Sequence, residues 1–143
     1  MAAKTKKNGA GAAAYKPKFL GKRVTGPVKK VDLVPWTQGE MLISLDCAEF
    51  TTVCPITGQP DFGGLLIEYV PGAHIIETKS LKLYLQGYRD RKGFNEQIVA
   101  AMLDDLFGQV KPKWMKITGM YNRRGGIGVT CECEREWEDT EPF

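Results

Sequence analysis

The chain has 143 residues, 43% of them apolar, and a net charge of +3. A single domain is expected at that length, no apolar run is long enough to span a membrane, and no apolar stretch follows the N-terminal lysines to make a secretory signal, so a cytoplasmic protein with reduced thiols is expected. The charge is split: residues 1–30 hold nine of the 20 Lys/Arg and none of the 17 acids, which leaves a body of −6 behind a basic arm.

Residues 1 to about 22 are rich in Ala, Gly and Lys and lack an apolar period, so they read as a disordered basic arm ahead of a single folded domain over 23–143. The arm lacks the stacking aromatics that single-strand binders interleave with their cations, so it reads as a solubilising tail and no nucleic-acid partner is expected. Residues 23–40, with Pro27 and Pro35, look like an extended lead-in. Ile43, Leu45 and Cys47 alternate with polar residues as in a strand, and turn-forming residues run from Pro55 to Pro60. A second strand is expected over Gly63 to Val70, with Leu65, Ile67 and Tyr69 on one face.

The period then becomes helical. Leu81, Tyr84, Leu85 and Tyr88 make one stripe, while Lys79, Lys82, Gln86 and Arg89 lie on another face. After Gly93 a second helix carries Val99, Met102, Leu103, Leu106, Phe107 and Val110, with Asn95 as its expected N-cap and Glu96 in the first turn. Pro112 closes it. Trp114 to Tyr121 reads as a strand, Arg123 to Gly126 as a turn, and Ile127 to Cys133 as a half-buried strand with Cys131 and Cys133 facing the core. Two hairpins flanking a helix pair predict an α+β fold, a four-stranded antiparallel sheet (ββααββ) with both helices on one face. Its free edges call for cover, and association between copies is one solution.

His74 is the only histidine, so a histidine-based metal site, or a Ser-His or Cys-His pair elsewhere, is hard to build, and no metal is expected. Cys54 lies between a strand end and a turn, where a thiol can be exposed without disturbing the core, and Asp61 follows after Gly58 and Pro60, which can fold the turn back on the sulfur. By spacing alone the two are equally a small buried hydrophobe and a turn aspartate. Glu77 and Glu96 begin the two helices, where acids cap; a carboxylate can also accept two hydrogen bonds from a guanine-like edge, with Phe94 stacking on the base. Lys79, Lys82 and Arg124 are cations able to hold phosphates. No Gly-x-Gly-x-x-Gly follows a strand, so a dinucleotide would bind outside a Rossmann frame.

Two segments, Cys54-Pro55-Ile56-Thr57-Gly58-Gln59-Pro60-Asp61 and Glu77-Thr78-Lys79-Ser80-Leu81-Lys82-Leu83-Tyr84, resemble the motifs of the NADPH-dependent 7-cyano-7-deazaguanine reductases, the nitrile reductases of queuosine biosynthesis, in the short single-domain form. Glu49-Phe50-Thr51, Gly93-Phe94-Asn95-Glu96 and Arg124-Gly125-Gly126-Ile127 support the resemblance, which covers roughly residues 40 to 130. It implies a tunnelling fold assembled into barrels, here a homo-oligomer expected as a decamer of two stacked pentamers, with sites at subunit boundaries. It implies that Cys54 attacks the nitrile to form a thioimide, that Asp61 protonates the nitrile nitrogen, and that two NADPH reduce the adduct. Ile76, Glu77, Thr78, Phe94, Asn95 and Glu96 would contact substrate, and Lys79, Lys82 and Arg124 the cofactor. Asn95 stands where the family pattern has histidine, and asparagine donates a hydrogen bond but shuttles no proton near neutral pH. Two other readings remain: a related enzyme that adds ammonia to the same nitrile on tRNA without a nicotinamide, and an RNA-binding module built around residues 4–30.

Overall fold

Residues 14–137 are described by a computed structural model. Strand β1 covers Leu33–Pro35, β2 Ile43–Val53, β3 Pro60–Val70 and β4 His74–Ile76; helix α1 covers Thr78–Gln86 and α2 Asn95–Val110; β5 covers Trp114–Arg124 and β6 Ile127–Glu136. Strands β2, β3, β5 and β6 form one antiparallel sheet in that order, so β2 and β6 are its edges. The α+β order expected from the two periodicities is the one observed. No helix among the described residues is long and apolar enough to cross a membrane.

Alternation builds the core. Leu65, Ile67 and Tyr69 of β3 and Met115, Ile117 and Tyr121 of β5 point to one face and are buried there with Leu81, Tyr84 and Tyr88 of the α1 region and Val99, Met102, Leu103 and Leu106 of α2. Helix α2 lies so close to the sheet that a Cβ at Gly119 would meet Val99 Cγ2 at 2.6 Å. Tyr84 and Tyr88 keep their hydroxyls satisfied inside the core: Tyr84 donates to Asp105 at 2.6 Å and shares a hydrogen bond of 2.9 Å with Tyr88.

Several expectations are corrected. The lead-in contains a strand, β1, which pairs with β4 as a separate two-stranded sheet. Strand β3 begins at Pro60 rather than near Gly63, and Arg123 and Arg124 belong to β5, leaving only Gly125-Gly126 as the turn. Both turn glycines have positive φ, 57° and 78°, as a two-residue hairpin requires. Asn95 is not the N-cap of α2. Phe94 is, in extended backbone, its carbonyl accepting from Ile98 N, while the Asn95 side chain turns inward and is buried. The expected disordered arm lies in part on residues 1–13, outside the described residues. Over 14–22 the chain rests on the body: the Lys18 and Phe19 amides donate to Asp32 Oδ2 at 2.7 and 3.2 Å.

Candidate active site

Two β-bulges build the site. In β2 the pairing slips between Cys47 and Phe50, where one extra residue opposes β3. The apolar phase therefore shifts from Ile43, Leu45 and Cys47 to Phe50 and Thr52, both buried, and carries Cys54 on at the start of the hairpin loop. In β5 the pairing slips between Tyr121 and Arg124, so Arg124 joins Tyr121 on the helix-covered face instead of pointing away. Asp61 already lies on that face, directly opposite Thr52. Bulges re-aim side chains in this way, and here the second one brings Arg124 to Asp61.

The loop holds Cys54 by its backbone. Its N–H donates to Gln59 O at 2.8 Å, and its carbonyl accepts from Gly58 N at 3.0 Å. The side chain is free and half-buried. Its pKa is lowered to about 7, first by the Thr57 hydroxyl, then by the Thr57 and Ile56 N–H groups, with Arg124 adding to them. Thr57 Oγ1 itself accepts from Gln59 N at 3.2 Å, which fixes the rotamer that serves the sulfur. Burial pushes the thiols of Cys47, Cys131 and Cys133 the other way, so they are inert packing residues.

Asp61 is only 4% exposed. Arg124 Nη1 contacts its Oδ1 as an ion pair, but no aligned hydrogen bond reaches that oxygen. Around it, Thr52 Oγ1, Asn95 Oδ1 and Tyr121 OH are also buried without hydrogen-bond partners. Burial first, then the charges of Cys131, Asp61 and Glu96, push the Tyr121 hydroxyl well up, so it stays a neutral donor. Buried polar groups without partners cost free energy. A cluster of them beside a reactive thiol is the signature of a site that a ligand completes. Gly93 N donates to Val53 O at 3.2 Å, which ties the start of α2 to the residue before Cys54. Exposed Phe94 and Glu96 flank buried Asn95 there.

The second motif sits elsewhere. Glu77 is the N-cap of α1: its Oε1 accepts from Lys79 N at 2.7 Å and its Oε2 from Ser80 N at 2.8 Å. Ile76 N donates to Tyr69 OH at 2.9 Å. Tyr69 is eight residues along β3 from Asp61, which at the strand rise places the two ends of the site about 26 Å apart in one chain. Thr78 is exposed. Lys79 Nζ donates to the carbonyls of Phe19, at 2.8 Å, and Lys22, so it fastens the preceding segment.

Lys82 and Arg89 line a cleft of about 390 Å³ between α1 and β2, together with Thr78, Gln86, Asp46 and Glu49. Neither cation is in an ion pair among the described residues. Two free cations seven residues apart on the helix side suit the phosphates of a dinucleotide, so the donor set fits a nicotinamide cofactor through Lys82 and Arg89 better than through Lys79 or Arg124. Sequence reasoning assigned no role to Arg89, Thr57, Thr52 or Tyr121. The signal for Arg89 was its shared face with Lys82, and for Thr57 its place two residues before Gln59, where a hydroxyl closes a turn.

A half-buried thiol drawn toward thiolate, a buried carboxylate and an arginine paired with that carboxylate are the kind of groups that enzymes with a reactive cysteine bring together, here on an α+β sheet. Residues 60–140 match the family described as QueF-like protein, and the chain belongs to that family. It is 42% identical over 114 residues to a protein of Syntrophus aciditrophicus (strain SB), covering 78% of this chain and 81% of the relative. It is 46% identical over 100 residues to one of Halorhodospira halophila (strain DSM 244 / SL1), covering 70% and 85%. Both relatives are named NADPH-dependent 7-cyano-7-deazaguanine reductase. The crystal structure of the archaeosine synthase QueF-Like in its apo form superposes with a TM-score of 0.61 at 25% identity, covering 65% of this chain and 91% of that one.

Proposed function

We propose that this chain reduces the nitrile of 7-cyano-7-deazaguanine to the aminomethyl base with two NADPH, through a thioimide on Cys54, and that the product serves the queuosine modification of tRNA. The observation that carries the reading is the environment of Cys54, whose sulfur is the one thiol among the described residues drawn toward thiolate. The sulfur adds to the nitrile carbon, and the nitrogen takes a proton from Asp61 as its π electrons localise there. Asn95 and Tyr121 then have a ligand for their free polar atoms, and Glu96 accepts from the base edge while Phe94 covers its face. When bound, the cofactor supplies hydride, with Lys82 and Arg89 on its phosphates. After the first reduction the C–S bond breaks, Cys54 leaves as the thiol and the carbon becomes an imine, which the site shields from water until the second reduction gives the amine.

Glu77, Thr78 and Ile76 stand too far from Cys54 to meet one base within a chain. We place them in the pocket of a neighbouring copy, in a ring of copies whose sites form at subunit boundaries. The unpaired edges of β2 and β6 support such an assembly.

The test is turnover. Purified protein mixed with the nitrile base and NADPH should consume the cofactor and yield the amine, and the nitrile alone should leave a covalent adduct visible by intact mass. Cys54→Ala should abolish both. An unchanged NADPH absorbance with no amine product would defeat the reading. The aminating alternative rests on the 25% structural relative, against reductase relatives at 42% and 46%, and measurable NADPH binding separates the two.

A further inference from the structure

We infer that Arg124 is a positioning residue for the covalent step, acting on Cys54 and Asp61 before any cofactor is present. The inference rests on the thioimide reading above and moves Arg124 away from the phosphate-binding role that the family resemblance implies. Its foundation is placement. The β5 bulge takes one residue out of phase, and only for that reason does the Arg124 side chain share a face with Asp61. The guanidinium pairs with the carboxylate, and its influence is also felt at the Cys54 thiol, as the smallest of those that draw it down. No hydrogen bond among the described residues joins Cys54 to Asp61 directly, and Arg124 is the cation paired with the acid at the mouth of the loop that carries Cys54. The guanidinium is still 55% exposed whereas the carboxyl it pairs with is 5% exposed, so the charge enters the site from its mouth.

Charge balance gives that cation its purpose. Before reaction the thiol and the carboxylate hold one proton between them and carry one negative charge. The S–C bond forms, a π pair of the nitrile moves onto nitrogen, and nitrogen takes that one proton from Asp61. The thioimide is neutral, and the negative charge is left on Asp61. A fixed positive charge beside both groups matches the charge at every stage, whether it sits on sulfur, in transit or on the carboxylate. An arginine does this without moving, because its planar fork presents donors to two acceptors at once and it does not lose its proton. Lysine, a single point charge, can serve one acceptor well and the other poorly.

The experiment follows adduct formation by intact mass with the nitrile base and no NADPH, for the wild type, Arg124→Gln and Arg124→Lys. Arg124→Gln should slow the adduct about tenfold, the scale of one charge-assisted hydrogen bond, with Arg124→Lys recovering part of the rate. Iodoacetamide labelling of Cys54 across pH should show the Arg124→Gln profile displaced upward. An arginine that only held cofactor phosphate would raise the KM for NADPH and leave the cofactor-free adduct rate untouched; that result overturns the inference. If even the wild type forms no adduct, the reductase reading fails, and the labelling profile then decides on Arg124 alone: displaced supports its action on Cys54, unchanged refutes it.

Discussion

The two ends of the sheet treat their carboxylates in opposite ways. At the start of α1, Glu77 has both oxygens committed to backbone amides, and Lys79 is committed to two carbonyls. At the Cys54 end, Asp61, Thr52, Asn95 and Tyr121 are buried with polar atoms that make no hydrogen bond among the described residues. One end is nearly finished as a folding unit, with the Tyr15 hydroxyl near Asp32 and Glu77 its one buried group without a partner among the described residues; the other is left open at a cost in stability, as expected where a ligand supplies the missing partners. The lesson is that a motif shared with a family can be committed to structure within one chain, its carboxylate and lysine spent on the backbone around it.

The sharpest way to break this contrast is complementation. Cys54→Ala and Glu77→Ala should each be inactive, yet copies mixed after reversible dissociation should regain about a quarter of wild-type activity. That fraction follows if each site takes its cysteine from one copy and its glutamate from the next, in a ring with head-to-tail contacts. Mixtures as dead as their parents would mean that the two ends never share a site.

A smaller effect sharpens the open end. Thr57→Val removes the hydroxyl that does most to hold the sulfur near its pKa of about 7, so the thiol should return toward its ordinary value near 8.5. The thiolate is the form present above the pKa, so at pH 7 its fraction falls and alkylation of Cys54 should slow, by less than the roughly 15-fold of a full return because the Thr57 and Ile56 N–H groups remain. An unchanged labelling profile would remove Thr57 from its role. The smallest effect belongs to the finished end. Glu77→Ala should lower stability by about 1 kcal/mol through the lost cap, a fall in Tm of about 3–5 °C, with Cys54 labelling unaltered. A labelling rate that moved with Glu77 would show the ends to be coupled within one copy.

Most of the fold was legible because its signals are periodic. The switch from alternation in Leu65, Ile67 and Tyr69 to the helical stripe of Val99, Met102 and Leu106 identifies elements whatever their partners. The placing of Cys54 and Asp61 at the two ends of one short hairpin loop was legible too. The bulges were not. They have no residue signature, and their trace in the sequence is a slip of phase, from Cys47 to Phe50, that looks like the end of a strand. Without the second bulge Arg124 would face away from Asp61, which is why it read as a free cation. The gap between Glu77 and Cys54 was equally hidden, because it depends on strand register across the sheet. Asn95 misled for a different reason: asparagine is a good cap, but here its side chain is buried inward and Phe94 takes the capping position with backbone alone.

The two glycines at the β5–β6 tip have a consequence for how this protein can change over generations. Hairpin ends usually accept an extra codon without harm, and much of the variety among related proteins accumulates there. Here the guanidinium is anchored one position before the tip, so an extra residue between the β5 bulge and the tip would carry it off its mark by about one strand step, roughly 3.3 Å, while the folded body stayed intact. Such a descendant would be well made and idle, which closes to this lineage a kind of variation that most hairpins tolerate.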